Sequence, residues 1–348
     1  MKVRYKNRYL EIIFSNEKRY VLLFLLLRIF AFLYSVVIAI VRFKRSRNQY
    51  KSSKVVISIG NITWGGTGKT PLVVELGRYI ESKGFKLGII HHGKSAGDEV
   101  ILLKENIPGA RVLGCSSKYA ALLELERDRE IDVIIIDDGY QNWNISRDLN
   151  ILCLNFKDSF GNKCLIPRGS LRESLSAIKR ADVITINKTR DKKDFLHILD
   201  IQKYNTHAPL VFTDYGVKKL YDVFSKKELL IQDMSGMAAT FITAVADPGY
   251  VKEVLINIGV DLRGGFIYPD HHIFTKEDLI SIANSIRGDI QVIFITEKDY
   301  VKIRDNLEFA KDLFNGKLLI LFKIGLEYLD NEKTLFGRLD ILLDSLSS

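Results

Sequence analysis

The chain has 348 residues, of which 47% are hydrophobic and 27% are charged, and its formal net charge at pH 7 is +9. This length and composition exclude disorder on a large scale and allow one large hydrophobic core or two modest ones. The positive charge suits nucleic acid, an anionic membrane surface or a phosphorylated substrate. The cysteines, Cys115, Cys153 and Cys164, form no CxxC pair and no Cys/His ligand pattern, so neither a disulfide framework nor a structural zinc site is predicted.

An apolar run at residues 20–41 holds a single charge, Arg28, and is long enough to cross a bilayer as a helix. Basic residues are clustered directly before and after this run, and this clustering favours a membrane over nucleic acid as the partner. Because the positive charge is similar at both ends, the positive-inside rule does not predict the direction of a membrane-spanning helix. The same charge distribution favours a helix that lies in the interface or re-enters the membrane. A spanning helix and a buried helix of the core stay open as alternatives. The flanking basic residues are Lys2, Arg4, Lys6, Arg8, Lys18 and Arg19 on one side and Arg42, Lys44, Arg45 and Arg47 on the other.

After Lys54, short apolar runs alternate with amphipathic helical segments, a pattern typical of parallel βα units. Between the first two runs, residues 71–84 carry apolar side chains at helical spacing and end at a glycine. The order is therefore strand, glycine-rich turn and helix. The predicted strands are residues 55–60, 87–92, 133–137, 150–155, 182–187 and 210–214.

The glycine-rich turn, NITWGGTGKTP at residues 61–71, carries the GKT core of a Walker A motif between a strand and a helix. Its glycines let backbone N–H groups approach phosphate oxygens, and the helix that follows adds partial positive charge at its N-terminus. Lys69 is expected to reach the terminal phosphates and Thr70 to bind Mg²⁺. A glycine-rich turn without a ligand is the alternative. The predicted nucleotide-binding residues of this loop are Thr63, which replaces the usual first glycine, Gly65, Gly66, Thr67, Gly68, Lys69 and Thr70.

A second motif, IDVIIIDDG, ends a predicted buried strand with Asp137 and Asp138. Carboxylates at such a strand end resemble a Walker B motif, which holds Mg²⁺ beside the phosphates. Adjacent residues of a strand point to opposite sides, so one carboxylate is expected to face the metal and the other to act through water or backbone. Which of the two does so stays open, and a polar strand end that opens a turn at Gly139 is the alternative.

A polar, turn-bearing stretch at residues 215–236 precedes a second set of α/β signals. In that set, ATFITAVADPGYVKEVLINIG and IQVIFITEKDYVKI each predict a strand followed by a helix, and KLLILFKIG predicts a further strand. We therefore expect an α/β protein in three parts. Residues 1–54 form a membrane-associating helix with basic flanks, 55–225 a P-loop nucleotide-binding domain with a mainly parallel sheet flanked by helices, and 226–348 a smaller C-terminal α/β lobe that contributes to the active site.

Taken as an ordered set, the motifs of this chain resemble those of the tetraacyldisaccharide 4′-kinase family of lipid A biosynthesis. The set spans most of the chain after Lys54, and the apolar N-terminal run is also similar to that family's membrane anchor. GKT alone would be weak evidence, whereas the ordered set is specific. The motifs are GNITWGGTGKTP, SAGDE (95–99), DDGYQ (137–141), RDLNILCLN, PRGSLRE (167–173), RADVITINK (180–188), YPDHHIF (268–274) and ITEKDYVK (295–302).

The resemblance implies transfer of the γ-phosphate of ATP to the 4′-hydroxyl of a tetraacylated glucosamine disaccharide 1-phosphate, a lipid A precursor. It implies Asp98 as the catalytic base and His271 as the histidine that pairs with it, while Mg²⁺ and Lys69 neutralise charge on the phosphates. Without the family, Asp98 could be a helix cap and His271 a polar group of a surface loop. The other implied residues are Asp137, Asp138 and Glu173 at the metal, Gln141 and Arg172 elsewhere in the active site, and Asn187 and Lys188 near the nucleotide base.

The expected cofactors are ATP and Mg²⁺, and the expected location is the inner (cytoplasmic) membrane with the active site facing the cytoplasm. The lipid A precursor and the membrane surface are the expected partners, and neither nucleic acid nor an obligate protein partner is expected. The acyl chains of the substrate and the oligomeric state do not follow from the sequence.

The sequence departs from the family between the second strand and GDE, where members usually carry a longer stretch that begins SRGYGR. Here the stretch is short and contains His91, His92, Gly93 and Lys94. Asn142 also replaces a common histidine. Two other functions therefore stay open. One is an ATPase or GTPase switch acting on a partner protein, since 187–190 is similar to a guanine-reading NKxD except for Arg190. The other is a homologue that binds nucleotide without turnover.

Overall fold

The computed structural model describes residues 20–64, 66–93, 97–156, 159–189, 195–314 and 316–347. Its helices are α1 (Val21–Arg47), α2 (Lys69–Ser82), α3 (Asp98–Asn106), α4 (Lys118–Arg127), α5 (Phe195–Gln202), α6 (Pro248–Asn257), α7 (Lys276–Ser285), α8 (Glu297–Ile303), α9 (Leu307–Leu313) and α10 (Glu332–Ser347). Its strands are β1 (Val55–Gly60), β2 (Leu87–His92), β3 (Arg111–Cys115), β4 (Val133–Asp137), β5 (Leu149–Asn155), β6 (Val183–Asn187), β7 (Leu210–Asp222), β8 (Glu228–Leu229), β9 (Ala238–Thr243), β10 (Asp261–Leu262), β11 (Phe266–Ile267), β12 (Val292–Thr296) and β13 (Leu318–Asp330).

The chain divides into two compact units. The first unit holds the described residues up to Asp214 together with those from Leu326 onward, and the second unit holds Tyr215–Gly325. This division differs from the three segments expected from the sequence. The first unit ends inside β7, because that strand continues through the polar stretch in which a boundary was expected.

The sheet of the first unit has the strand order β7-β6-β5-β1-β4-β2-β3, and its paired strands are parallel. Every residue of β1 is buried, as expected for a central strand with helices on both faces. In the register Ile59 pairs with Asp137 and Gly60 with Leu152, so the carboxyl ends of β4, β1 and β5 lie side by side. The predicted α/β fold with a mainly parallel sheet and a P-loop core is confirmed. Ligands of such sheets bind at the carboxyl edge of the strands.

The last helix, α10, also belongs to the first unit. Leu335, Leu339 and Leu343 recur every fourth residue and are all buried, so one stripe of α10 packs on the unit. Asp340 accepts a hydrogen bond of 2.7 Å from the hydroxyl of Tyr79 on α2. The C-terminal segment therefore stabilises the nucleotide-binding unit, although the sequence assigned it to the C-terminal lobe.

The second unit is the smaller α/β lobe. Its central strands β9, β12 and β13 are parallel and adjacent, and β10 and β11 both pair with β9. The core contains Phe294 of β12 and Phe322 of β13, whose rings meet edge to face with centroids 6.1 Å apart. The predicted strand–helix pairs are found as β9 with α6 and β12 with α8.

Helix α1 exposes its apolar side chains instead of burying them. Of its residues only Ala31 is buried, whereas Phe32 is 67% exposed. Among the described residues, α1 is the helix long and apolar enough to cross a membrane. The alternative of a buried core helix is therefore wrong.

Candidate active site

The loop between β1 and α2 lies at the carboxyl edge of the parallel sheet. Gly68 precedes α2 with a φ of 81°, a left-handed conformation that glycine adopts without strain. Lys69 is the first residue of α2, so its side chain and the helix N-terminus are presented at the same place. Within the loop, Asn61 donates a hydrogen bond of 2.9 Å to the hydroxyl of buried Thr67. Gly65 lies outside the described residues.

The first half of the loop is paired with the segment at residues 170–172. Thr63 forms an antiparallel bridge with Leu171, and the Trp64 amide donates to the Ser170 carbonyl at 2.8 Å. The Arg172 amide in turn donates to the Ile62 carbonyl at 2.8 Å. A bridge of this kind needs extended backbone, which threonine adopts readily. Thr63 therefore fits the position where the usual motif has glycine, and its predicted contact with the nucleotide stays a prediction.

Asp137 and Asp138 stand at the end of β4, beside this loop. Asp137 is the last residue of the strand and is buried, and Asp138 turns the chain with a φ of 52°. Buried Lys118, at the start of α4, holds this turn by donating to the carbonyls of Asp137 and Asp138 at 2.7 and 2.6 Å. Burial lowers the pKa of Lys118. The side chains of Asp137 and Asp138 have different partners.

Asp138 receives two cationic side chains from different elements. Arg172 donates from Nη1 to Oδ2 at 2.8 Å, and Lys69 Nζ lies 3.4 Å from Oδ1. Burial by itself raises the pKa of Asp138, but the charges of Lys69 and Arg172 outweigh it and lower the pKa to about 2. The carboxylate is therefore ionised and surrounded by the two groups best suited to bind phosphate.

Asp137 instead contacts His91, the next-to-last residue of the neighbouring strand β2. The distance from His91 Nδ1 to Asp137 Oδ2 is 2.8 Å, and His91 Nε2 lies 3.1 Å from Glu99 Oε2. Burial by itself lowers the pKa of His91, but the hydrogen bonds to Asp137 and Glu99 outweigh it and raise the pKa to about 9. The imidazole is thus a cation that bridges two carboxylates. It belongs to the short stretch in which this sequence departs from the family pattern, and Lys94 and Ser95 of that stretch lie outside the described residues.

Asp98 begins α3, directly before Glu99. Its Oδ1 accepts a hydrogen bond of 3.0 Å from the Glu99 amide. The partial positive charge at the helix N-terminus favours a carboxylate at this position. Because His91 contacts both Glu99 and Asp137, the start of α3 is connected to the end of β4. His271, the predicted partner of Asp98, lies in the second unit with a φ of 62°, and its Nε2 is 3.6 Å from Asp270 Oδ2. The pairing of Asp98 with His271 stays a prediction.

Glu173 is buried and forms two hydrogen bonds at one oxygen. Its Oε1 accepts from Gln141 Nε2 at 3.0 Å and from Arg180 Nη2 at 2.8 Å. Gln141 Nε2 also donates to the Asn61 carbonyl at 2.8 Å, so it links Glu173 to the end of β1. Glu173 is therefore held inside the protein by hydrogen bonds from two other segments of the chain.

The carboxylates at this edge fit a Mg²⁺ ion that also takes ligands from phosphate and water. Oδ1 of Asp137 and Oε2 of Glu173 are buried and accept no hydrogen bond within the described part of the chain. In the same part, no three His, Cys, Asp or Glu side chains are arranged to hold a metal by themselves. Mg²⁺ commonly binds through one or two carboxylates plus phosphate oxygens. The predicted set Thr70, Asp137, Asp138 and Glu173 is thus not a preformed protein cage.

Asn187 closes the site from β6. It is 1% exposed, its Nδ2 donates to the Thr67 carbonyl, and its Oδ1 accepts from the Thr213 hydroxyl. Both ends of the amide are therefore engaged by protein, and the geometry assigns Asn187 to holding the phosphate-binding loop. Lys188 follows with a φ of 65° and is buried. Its contact with the nucleotide stays a prediction.

Several residues of this site were not predicted from the sequence. His91, Glu99, Lys118 and Arg180 hold the predicted residues in place. Glu99 and Arg180 lie in the motifs SAGDE and RADVITINK, but no role in the site was assigned to them. His91 could have been found from its position, because it lies near the end of a strand predicted to be parallel to the one that carries Asp137. Lys118 could not, since it lies 19 residues before Asp137 and belongs to no motif.

Comparison with known proteins agrees with this geometry. Residues 23–340 match the family model described as LpxK, tetraacyldisaccharide-1-P 4′-kinase. The chain is 29% identical to the tetraacyldisaccharide 4′-kinase of Halothermothrix orenii, with 89% of this chain and 88% of the relative covered. It is 28% identical to that of Bdellovibrio bacteriovorus, with 90% and 96% covered. The crystal structure of LpxK from Aquifex aeolicus in complex with ATP has the same fold, with a TM-score of 0.67 at 22% identity over 90% of this chain and 97% of that one. The chain belongs to the tetraacyldisaccharide-1-P 4′-kinase family.

Proposed function

We propose that this protein transfers the γ-phosphate of ATP to the 4′-hydroxyl of a tetraacyldisaccharide 1-phosphate, a step of lipid A biosynthesis. The proposal rests on family membership and on one observation, the convergence of Lys69 and Arg172 on Asp138 beside the phosphate-binding loop. Phosphoryl transfer needs little covalent help from the protein, and its rate depends on positioning the phosphates and stabilising their charge. Lys69 and Arg172, the two cations at the end of β4, can both position the phosphates and stabilise their charge.

Lys69 and Arg172 act on the phosphates of ATP. In the described structure both contact Asp138, and the side-chain exposure of 16% for Lys69 and 23% for Arg172 leaves each partly accessible from the loop. A phosphate that enters the loop competes with Asp138 for these cations. Arg172 offers a planar guanidinium that can hold two oxygens, whereas Lys69 provides a compact charge.

Asp137, Asp138 and Thr70 are the residues that would hold Mg²⁺. The bound ion would neutralise negative charge on the phosphate oxygens. Glu173 accepts hydrogen bonds from Gln141 and Arg180 at Oε1, and its second oxygen, Oε2, would take part in holding the ion. Gln141 in turn keeps Glu173 at the end of β1.

Asp98 is the base that accepts the proton of the acceptor hydroxyl, and His271 is its pairing histidine. The support for Asp98 is its place at the start of α3, next to Glu99 and thereby connected through His91 to Asp137. For His271 the support is its motif, YPDHHIF. A carboxylate with an imidazole partner can accept a sugar proton as the phosphate transfers.

Helix α1 attaches the protein to the membrane from which the lipid substrate arrives. Its apolar side chains are exposed over its length, and Lys44, Arg45 and Arg47 lie in its last turn. An apolar helix with a basic end suits an anionic bilayer surface. We place the protein at the inner membrane with its active site on the cytoplasmic side, where ATP is present.

Transfer of radiolabelled phosphate from ATP to the tetraacyldisaccharide 1-phosphate by the full-length protein in detergent tests this function. We expect Lys69→Ala and Asp98→Asn to lower the transfer rate by about 10²-fold or more. Lys104→Ala, a change at an exposed lysine of α3, is the matched control and should keep full activity. His271→Gln tests the pairing and should lower the rate without lowering ATP affinity.

Each outcome separates the alternatives. ATP binding without transfer by the unmutated protein would identify a non-catalytic homologue. Hydrolysis of ATP that is stimulated by a protein and not by the lipid would identify a switch. Full activity of Asp98→Asn would remove Asp98 from the role of base.

A further inference from the structure

A cavity of about 430 Å³ lies between helix α1 and the chain at residues 163–176. It is separate from the residues that the phosphoryl transfer uses. Its walls include Arg28 and Phe32 of α1 and, from the facing segment, Lys163, Leu165, Arg168, Leu171 and Ser174.

The charged residues of this cavity are all basic. Arg28 is the single charge in the apolar run and has no ion pair among the described residues. The guanidinium of Arg168 lies 4.4 Å from the centroid of the Phe24 ring, a cation–π contact that holds it against α1. Lys163 is 2.8 Å from Asp200, which offsets its charge. The guanidinium groups of Arg28 and Arg168 thus line the cavity together, and none of its lining residues is acidic.

The cavity opens along a helix whose other side chains suit lipid. Phe32 lines the cavity and is 67% exposed, and Leu33 beside it is 53% exposed. An arginine within such a helix is costly in a bilayer unless an anion or water accompanies it. A ligand that combines a negative group with an apolar chain satisfies both the arginines and the walls.

We propose that this cavity binds one anionic glycerophospholipid of the surrounding membrane, with its phosphate at Arg28 and Arg168 and an acyl chain along Phe32 and Leu165. This inference rests on the proposed membrane attachment of α1. Cavities of this volume accommodate ligands of drug-like size. That suffices for a phosphoglycerol group and part of one chain, and it is too small for the substrate with its four acyl chains.

The bound lipid would also contact the segment that carries active-site residues. Leu171 and Ser174 line the cavity, and the residues between them are Arg172 and Glu173. Tyr34 of α1 donates a hydrogen bond of 2.9 Å to the Arg172 carbonyl. A lipid in the cavity would thus hold α1 against this segment, and we expect it to raise the transfer rate without contacting ATP.

Native mass spectrometry of the full-length protein, purified in detergent and mixed with equal amounts of phosphatidylglycerol and phosphatidylcholine, tests the binding. We expect one phosphatidylglycerol molecule to stay bound in preference to phosphatidylcholine. Arg28→Gln and Arg168→Gln should each weaken this binding about tenfold, because each removes a charge-assisted contact. Arg129→Gln, at an exposed position after α4 and outside the cavity, is the control and should bind as the unmutated protein does. Arg28 is exposed, so its substitution leaves the fold intact.

Three results would overturn the proposal: equal retention of the two phospholipids, equal loss of binding in Arg129→Gln, or displacement of phosphatidylglycerol by the tetraacyldisaccharide 1-phosphate. The last result would make the cavity part of the acceptor site. Lys69→Ala should still retain phosphatidylglycerol, because retention does not require catalysis. Retention together with no transfer by the unmutated protein would therefore contradict the proposed function and support the lipid site.

Discussion

Arg172 and Asp138 form an ion pair of 2.8 Å that joins the segment after residue 170 to the end of β4. The same segment is paired by its backbone with the first half of the phosphate-binding loop through Leu171 and Thr63. A single arginine thus connects the carboxylate strand end to the loop. The position of Arg172 depends on both the end of β4 and the loop, so we expect substitution of Arg172 and of the residues that hold it to change activity.

Replacement of Arg172 by lysine should lower the transfer rate strongly and ATP affinity only slightly. Lysine keeps the charge but loses the planar fork that can hold Asp138 and a phosphate oxygen, so stabilisation of the transition state is reduced. We expect the rate to fall by about 10²-fold. Steady-state kinetics with equilibrium ATP binding measure the two effects separately. Arg129→Lys, at an exposed position after α4, is the control. An unchanged rate in Arg172→Lys would show that the guanidinium is not required.

Asn187→Ala should raise the KM for ATP with a smaller effect on the rate at saturation. The change removes the hydrogen bond to the Thr67 carbonyl and leaves the Thr213 hydroxyl without its acceptor. Loss of buried hydrogen bonds costs about 1–3 kcal/mol, which corresponds to a change in affinity of about 5- to 150-fold. Initial rates at varied ATP concentration and a thermal melt test this prediction. A lower melting temperature with unchanged KM would mean that Asn187 supports the sheet and not the loop.

Tyr34→Phe should lower the transfer rate a few-fold by releasing the Arg172 carbonyl from α1. One neutral hydrogen bond contributes about 1 kcal/mol, so we expect only a small change in stability. Tyr119→Phe, an exposed tyrosine of α4, is the matched control. Transfer assays in detergent and in vesicles measure the effect. Equal activity of Tyr34→Phe and Tyr119→Phe in both media would exclude a positioning role for Tyr34.

Stability should fall at acidic pH through Glu126, which anchors the chain after α1 to α4. Its carboxylate accepts hydrogen bonds from the Tyr50 hydroxyl, from the Ser52 hydroxyl at 3.0 Å and from Ser53. Partial burial by itself raises the pKa of Glu126, but the hydrogen bonds from Tyr50, Ser53 and Ser52 outweigh it and lower the pKa to about 2.

A lowered pKa in the folded state means that ionised Glu126 stabilises the fold above its ordinary pKa, and that this contribution is lost as the pH falls toward 2. Glu126→Gln should therefore lower the melting temperature at pH 7 and have less effect at pH 3. Melting curves across this range measure the difference, with Glu130→Gln at an exposed position as the control. The same decrease at both pH values would contradict the assignment to the ionised carboxylate.

Much of the site could be predicted because its chemistry is local in sequence. GGTGKT between a strand and a helix predicts a phosphate-binding loop. Two aspartates at the end of a buried parallel strand are expected at the carboxyl edge of the sheet, where that loop also lies. Strand β3 was not predicted, since its residues are mostly half-exposed and show no clear alternation. The unit boundary inside β7 was also not predicted, because polar residues continue a strand when backbone pairing supports them.

The sequence by itself determined the fold class, the loop, the carboxylate strand end and the apolar helix, because these depend on the spacing of neighbouring residues. Tertiary structure decided which partners those residues take. It placed Arg172 on Asp138, His91 between Asp137 and Glu99, and Asn187 under the loop. These contacts join residues from separate strands and turns, and their geometry depends on the strand order and register of the folded sheet, which spacing along the chain does not encode.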